Sequence, residues 1–213
     1  MHPDRPIQSK TELSAIYDRY ASERDEDITA DWKVLKRQEF LEAIKLENVR
    51  TLLELGSGPG RDGLFFQQNG LRVTCVDLSP AMVLRCREKG LQARVMDMTS
   101  LDFEDECFDA VYSLNALLHL TKPEFRNVLR EVERILKPGG LFSLGVYGGY
   151  EFEGILERDH YVPKRFFSYF TDEQIQALAS QVFDIVSFST VLFEQEEPFH
   201  FQSLILKKRL FLV

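Results

Sequence analysis

Four glycines at positions 56, 58, 60 and 63 follow a short apolar run, Leu52, Leu53 and Leu55, that contains one acid, Glu54. Backbone that turns tightly or approaches a ligand closely excludes a Cβ, so this spacing marks a loop able to hold a small molecule. A second apolar run, Leu64 to Phe66, begins at once, and the order implied is strand, glycine turn, helix. A helix N-terminus beyond such a turn offers unpaired N–H groups to an anionic or polar ligand. Two registers fit. Gly58-x-Gly60-x-x-Gly63 with Asp77 downstream matches the dinucleotide fingerprint in form. That fingerprint's first glycine closes its strand, however, and Gly56 closes this one, which puts Arg61 in the place of the third glycine. The register Glu54-x-Gly56-x-Gly58-x-Gly60, with Ser57 inside it, places an acid where a carboxylate suits a cationic ligand and would repel a pyrophosphate.

The elements that position these residues are legible in turn. Ser9 and Glu12 form a capping box ahead of Leu13, Ile16, Tyr17 and Tyr20, which share a helical face. The charged run SERDEDITAD reads as a loop, and a second helix carries Trp32, Leu35, Phe40, Leu41 and Ile44. Residues 1–48 are thus an expected helical cap on a core of residues 49–213. Arg72–Asp77 reads as a strand with Asp77 at its C-terminal end, Ser79-Pro80 as N-cap and N1 of the next helix, and Gln92–Met96 and Phe108–Leu114 as further strands. Thr121 and Glu124 cap an amphipathic helix that stops at the LKPGG turn, residues 136–140, before a fifth strand, Leu141–Tyr147. Thr171 and Gln174 cap a last helix, and Ile185–Phe193 and Phe199–Leu206 read as an antiparallel pair around Glu194–Pro198. The expected fold is α/β: a doubly wound, mainly parallel seven-stranded sheet with a C-terminal antiparallel hairpin and helices on both faces. Ligands of such sheets lie beyond the carboxyl ends of the strands, so Asp77 shares a rim with the glycine loop, where a carboxylate can accept both hydroxyls of a ribose.

The acid–glycine register, the strand-end Asp77, the Asp97 loop and LKPGG, in this order and spacing, resemble the class I S-adenosylmethionine (SAM)-dependent methyltransferases, of small-molecule type and Rossmann-like fold. The resemblance covers Leu52 to Tyr147 by motif and the C-terminal hairpin by pattern. It implies SAM as cofactor, S-adenosylhomocysteine (SAH) as product, and contacts from Glu54, Gly56, Ser57, Gly58, Gly60, Asp77, Leu78, Met82, Asp97, Met98 and Asn115. Asp97 would accept the adenine amine, Met98, Leu78 and Met82 would wall the ring, and the segment from Asn115 would lie beside the methionine part. Aspartate or asparagine followed by Pro-Pro-aromatic, the N-methyltransferase signature of the family, is absent; Ser113-Leu114-Asn115-Ala116 stands there.

Substrate contacts are expected from Tyr17, Tyr20, His119, Arg158, Tyr161 and Arg165. Residues 148–170 are dense in aromatics and charge and read as a substrate lid, in preference to a packed loop, because they leave a strand's carboxyl end. Arg158 or Arg165 would suit a carboxylate or phosphate. Methyl transfer from a sulfonium is an in-line displacement that positioning alone assists by roughly 7–11 kcal/mol. A base is therefore optional; His119, Tyr147 and Tyr161 are the candidates on this rim, and no spacing singles one out. The net charge of −8 argues against a large nucleic-acid footprint. No apolar run is long enough to cross a bilayer, and Cys75, Cys86 and Cys107 form no C-x-x-C pair, so the reading is a cytoplasmic chain without a metal, acting on a small molecule as monomer or homodimer. Methyl transfer to protein or RNA, SAM binding without transfer, and nicotinamide-dependent oxidoreduction are the alternatives.

Overall fold

A computed structural model describes residues 8–193 and 198–210. Its centre is a seven-stranded sheet of order β3-β2-β1-β4-β5-β9-β8. The strands are β1 (Thr51–Leu55), β2 (Arg72–Asp77), β3 (Gln92–Val95), β4 (Phe108–Leu114), β5 (Leu136–Gly148), β8 (Phe183–Leu192) and β9 (His200–Lys208). Strands β1 to β5 pair in parallel, and β9 runs antiparallel between β5 and β8. Because side chains alternate along a strand, the apolar runs feed both faces. Leu52, Ala110 and Tyr112 pack with helices α3 (Asp31–Leu46), α4 (Arg61–Gln68) and α5 (Pro80–Glu88). Leu53, Leu55 and Val111 pack with α6 (Lys122–Ile135) and α7 (Asp172–Ala179). The strand order reverses between β1 and β4, which makes the carboxyl ends of those strands the place for a ligand.

Local rules set most boundaries. Capping boxes open α6 at Thr121 and Glu124 and α7 at Thr171 and Gln174, and Ser79 caps α5 by accepting the Met82 N–H at 3.1 Å. Two expectations shift here. The LKPGG segment lies within β5, because Leu136 already pairs with Phe108 before an irregularity brings Leu141 opposite Ala110. The third strand ends at Val95, one residue early. The last two strands keep their antiparallel order; residues 194–197 of the expected turn, and 211–213 of the tail, lie outside the described residues.

Two additions cover the rim. Helix α1 (Lys10–Arg19), with its capping box at Ser9 and Glu12, docks on the start of α5. There Asp18 Oδ1 accepts the Ala81 N–H at 3.0 Å, and Ser14 Oγ donates to the Leu78 carbonyl at 3.0 Å. The run read as a loop after it begins with a short helix, α2 (Ala21–Glu26), which is packed by the buried Ala21. The second addition is a hairpin of β6 (Phe152–Ile155) and β7 (Phe166–Tyr169), absent from the sequence reading. Its connecting loop is tied to the helices: Gln8 Nε2 donates to Lys164 O at 3.2 Å, and Arg19 Nη1 to Val162 O at 2.7 Å.

Candidate active site

The carboxyl ends of β1, β2 and β4 and the loop after β3 surround one cavity, closed from above by α1, α2 and the start of β7. Gly56, Gly58, Asp77, Leu78, Asp97, Met98, Asn115 and His119 all line it, as does Tyr17. The glycine loop is held by two carbonyl contacts, Gly56 N–H and Ser57 N–H to Val76 O at 2.8 and 3.1 Å. Gly58 takes φ +53° and has nothing within 4 Å of where a Cβ would stand, so the loop leaves open space there. Asp77 anchors the loop: Oδ2 accepts Gly58 N–H at 2.8 Å and Oδ1 accepts Ser79 N–H at 2.9 Å. Burial raises its pKa despite those bonds. Both oxygens keep lone pairs for a ligand hydroxyl.

Asp97 already has partners. Its Oδ1 accepts from Thr99 N and Oγ1 at 2.9 and 2.8 Å, and its Oδ2 takes the Lys10 ammonium at 2.7 Å. Burial works against this carboxylate, but the hydrogen bonds from Lys10 and Thr99 and the Lys10 charge together outweigh it and lower the pKa. Asn115 sits at φ +56° with its N–H on Gly145 O at 2.7 Å, and its Oδ1 is buried without a partner among the described residues. A buried, unfilled acceptor on a cavity wall is a place for a ligand donor.

The upper wall is a chain of hydrogen bonds. His119 Nδ1 lies 2.8 Å from the Phe166 carbonyl, which can only accept, so Nδ1 carries the proton. Nε2 is then an acceptor, and the Tyr17 hydroxyl donates to it at 2.6 Å. Arg165 Nη1 donates to the same hydroxyl oxygen at 2.8 Å. Burial, and then the Arg165 charge, push the His119 pKa down to about 3, so the imidazole is neutral near pH 7. It is a fixed acceptor that orients Tyr17 and a poor proton sink.

Several expected contacts lie behind the wall. Glu54 is 4 % exposed beneath the loop, where Cys75 Sγ lies 3.4 Å away and a Cβ at Gly63 would come within 2.6 Å of its Oε2. Burial and then Asp62 hold its pKa well above the carboxylate range. It supports the loop from below, because a mid-strand side chain one residue short of the turn points under α4. Gly60 starts α4 in the left-handed conformation, and Ser57 and Met82 are buried in the packing around Cys86 and α5. Tyr20 accepts the Val162 N–H at 3.3 Å and packs its ring at a tilt against Tyr161, centroids 4.4 Å apart. Tyr161 is buried under Arg165, whose guanidinium lies 3.6 Å from the ring centroid. The Arg165 fork, expected to meet a substrate anion, is taken by Asp159: Nε to Oδ2 at 2.9 Å and Nη2 to Oδ1 at 2.7 Å. Arg158 is exposed and lies over Phe199 at 4.5 Å, and Tyr147 stacks on Phe199 at 5.2 Å, both off the cavity.

Lys10, Arg24, Glu124 and Phe166 line the cavity without having been expected there. Arg24 had a signal: it lies seven residues after Tyr17, on one helical face, but only if the charged run is read as helical. Lys10 had none, because its partner Asp97 is 87 positions away.

Residues 52–140 match a family model described as a methyltransferase domain. A tRNA (carboxymethyluridine(34)-5-O)-methyltransferase of Arabidopsis thaliana is 29% identical over 147 residues, covering 67% of this chain and 34% of that protein. The thiol S-methyltransferase TMT1B of Rattus norvegicus is 35% identical over 124 residues, covering 50% of this chain and 48% of that protein. The chain thus spans half or less of the length of these curated relatives. The solved structure of Burkholderia thailandensis 1,6-didemethyltoxoflavin-N1-methyltransferase with bound 1,6-didemethyltoxoflavin and SAH superposes with a TM-score of 0.70 at 20% identity. That match covers 97% of this chain and 93% of the other, and it shows the same fold. The glycine loop, the strand-end acids and the sheet order agree with that match, so residues 52–140 form a methyltransferase domain of the class I SAM-dependent type.

Proposed function

We propose that this chain binds SAM in the cavity described above and transfers its methyl group to a small-molecule acceptor. The observation that carries the reading is the convergence of Gly58, Asp77, Asp97 and Asn115 from four successive strand ends onto one cavity. The donor set fits the cofactor. Asp77 offers two carboxylate oxygens to ribose hydroxyls, and Asp97 with Leu78 and Met98 forms an acidic and apolar corner for adenine. The unfilled Asn115 Oδ1 offers an acceptor to the methionine ammonium. When bound, SAM supplies a methyl group already activated on a sulfonium.

The chain's own contribution is enclosure and orientation. Tyr17, fixed by His119 and Arg165, lines the cavity, and α1 with the β6–β7 hairpin covers the space. This roof supports a small acceptor over a macromolecular one, as does the net charge of −8. Among the described residues no helix is long and apolar enough to cross a membrane.

The test is incubation with methyl-labelled SAM and a cell extract split by size. Label in the metabolite fraction is the expected result. Label in the RNA or protein fraction moves the acceptor to a macromolecule, and a thermal shift with NADH but none with SAH removes the SAM reading altogether.

A further inference from the structure

Outside the closed cavity, four half-buried aromatic rings meet on the same rim of the sheet. Trp32 comes from the second position of α3, Tyr147 from near the end of β5, Phe193 from just after β8 and Phe199 from just before β9. Tyr147 stacks on Phe199, with centroids 5.2 Å apart and 22° between the planes. Phe193 lies 5.9 Å from both Tyr147 and Trp32, and the fully buried Phe201 backs Trp32 at 4.5 Å. Large rings gathered from separate elements and left partly in water form the kind of apolar patch that marks a binding site.

Position decides which ligand can use it. The patch lies on β5, β9 and β8, whereas the corner proposed for adenine, at Asp97, follows β3. Four strand spacings separate β3 from β5, about 19 Å, so adenine held at Asp97 does not reach these rings. The near edge of the patch does adjoin the cavity. Asn115, on the cavity wall, donates its N–H to Gly145 O at 2.7 Å, and Tyr147 follows two residues further along that strand, about 7 Å away. On the other side, Lys33 is the neighbour of Trp32 in the chain. Burial, and then the charge of Arg24 on the cavity wall, lower its pKa. SAM laid from Asp97 to Asn115 brings its methionine end to this edge, and an acceptor has to approach from outside the cofactor.

The neighbours of the rings restrict charge. Lys33 Nζ lies 5.4 Å from the Trp32 ring, and the Arg158 guanidinium lies 4.5 Å from the Phe199 ring. Each end of the patch thus already carries a cation, and an ammonium ligand would meet like charge there. Resting on the methyltransferase reading above, we infer that Trp32, Tyr147, Phe193 and Phe199 form the platform on which the methyl acceptor lies, and that this acceptor carries a planar conjugated ring of neutral or negative charge. A flat ring gains stacking contact over its whole area on such a surface, which a puckered ring of the same size does not.

Calorimetric titration of 2-naphthol and of 2-naphthoate into protein saturated with SAH tests this. Decahydro-2-naphthol and 2-naphthylmethylammonium are the saturated and the cationic controls. At least one planar probe should bind the wild type at least tenfold more tightly than either control. Trp32→Leu should weaken that probe tenfold or more while changing SAH affinity less than twofold. Phe199→Leu should do the same, and it decides alone should Trp32→Leu not fold. Binding of neither planar probe, equal binding of a control, or unchanged binding in the variants overturns the inference. So does a tenfold loss of SAH affinity in the variants, which gives the rings to the cofactor. A wild-type dimer that Phe199→Leu converts to monomer in ultracentrifugation also overturns it, because the patch is then a subunit interface. Failure of the SAM reading shows separately, as no heat from SAH itself. The same probe titrations on the free protein then decide for or against the platform on their own.

Discussion

Acidification should destabilise this protein through His119, and the size of the effect follows from its hydrogen bonds. The Phe166 carbonyl at 2.8 Å keeps the proton on Nδ1, and the Tyr17 hydroxyl at 2.6 Å uses Nε2 as its acceptor. Protonating Nε2 breaks that donation and adds a charge beside Arg165, in a site already short of water. Burial and then the Arg165 charge accordingly take the pKa from 6.5 to about 3. The folded pKa lies below the unfolded one, so the unfolded chain binds the extra proton and stability falls as the pH drops below the unfolded value. At about 1.4 kcal/mol per unit, the loss at pH 5 is about 2 kcal/mol, and at pH 7 it is only about 0.2 kcal/mol. His119→Gln has nothing to titrate there. Urea denaturation of wild type and variant at pH 7 and pH 5 isolates the term, because carboxylates elsewhere titrate equally in both. The wild type should lose about 2 kcal/mol more than the variant over that interval, roughly 4–8 °C in Tm. Parallel pH profiles would refute the tautomer assignment and with it the view of His119 as a neutral, orienting acceptor.

Other substitutions test neighbouring parts of the site. Arg165→Gln leaves Asp159, whose side chain is 2% exposed, without its guanidinium; the expected cost is about 3–5 kcal/mol, with faster proteolysis in the loop between β6 and β7. Gly63→Ala puts a Cβ 2.6 Å from Glu54 Oε2 and 2.7 Å from Cys75 Sγ. It should cost about 1–3 kcal/mol by thermal melting, and an unchanged Tm would show that Glu54 is free to move away from the loop. Asp77→Asn keeps the shape but has one acceptor oxygen for the two N–H groups of Gly58 and Ser79. SAH affinity should fall at least tenfold, about 1.4 kcal/mol, by calorimetry. Ser9→Ala removes the N-cap of α1 and should cost about 1 kcal/mol, with hydrogen exchange rising first in α1.

What the sequence determined on its own is what depends on short separations along the chain. The capping boxes at Ser9, Thr121 and Thr171 act between residues three apart, and the alternation of Leu52, Leu53 and Leu55 assigns each side chain to a face of β1. The glycine register and strand-end Asp77 follow from backbone geometry over a few residues, so the rim of the sheet and its ligand loop were legible. Tertiary structure alone decided what stands on that rim. Lys10 meets Asp97 across 87 positions, Tyr17 meets His119 across 102, and Arg165 meets Tyr17 across 148. No local pattern encodes such a pair, because each partner needs only to be polar and the intervening chain sets the meeting point. The same reason moved two arginines. Arg165 reads as free for a substrate until Asp159 is seen to fill its fork, and Arg24 reads as one charge in a polar run until α2 turns it into the cavity. Whether a cation is available to a ligand depends on the counter-ions the fold brings to it, and those are settled only when the distant segments are packed together.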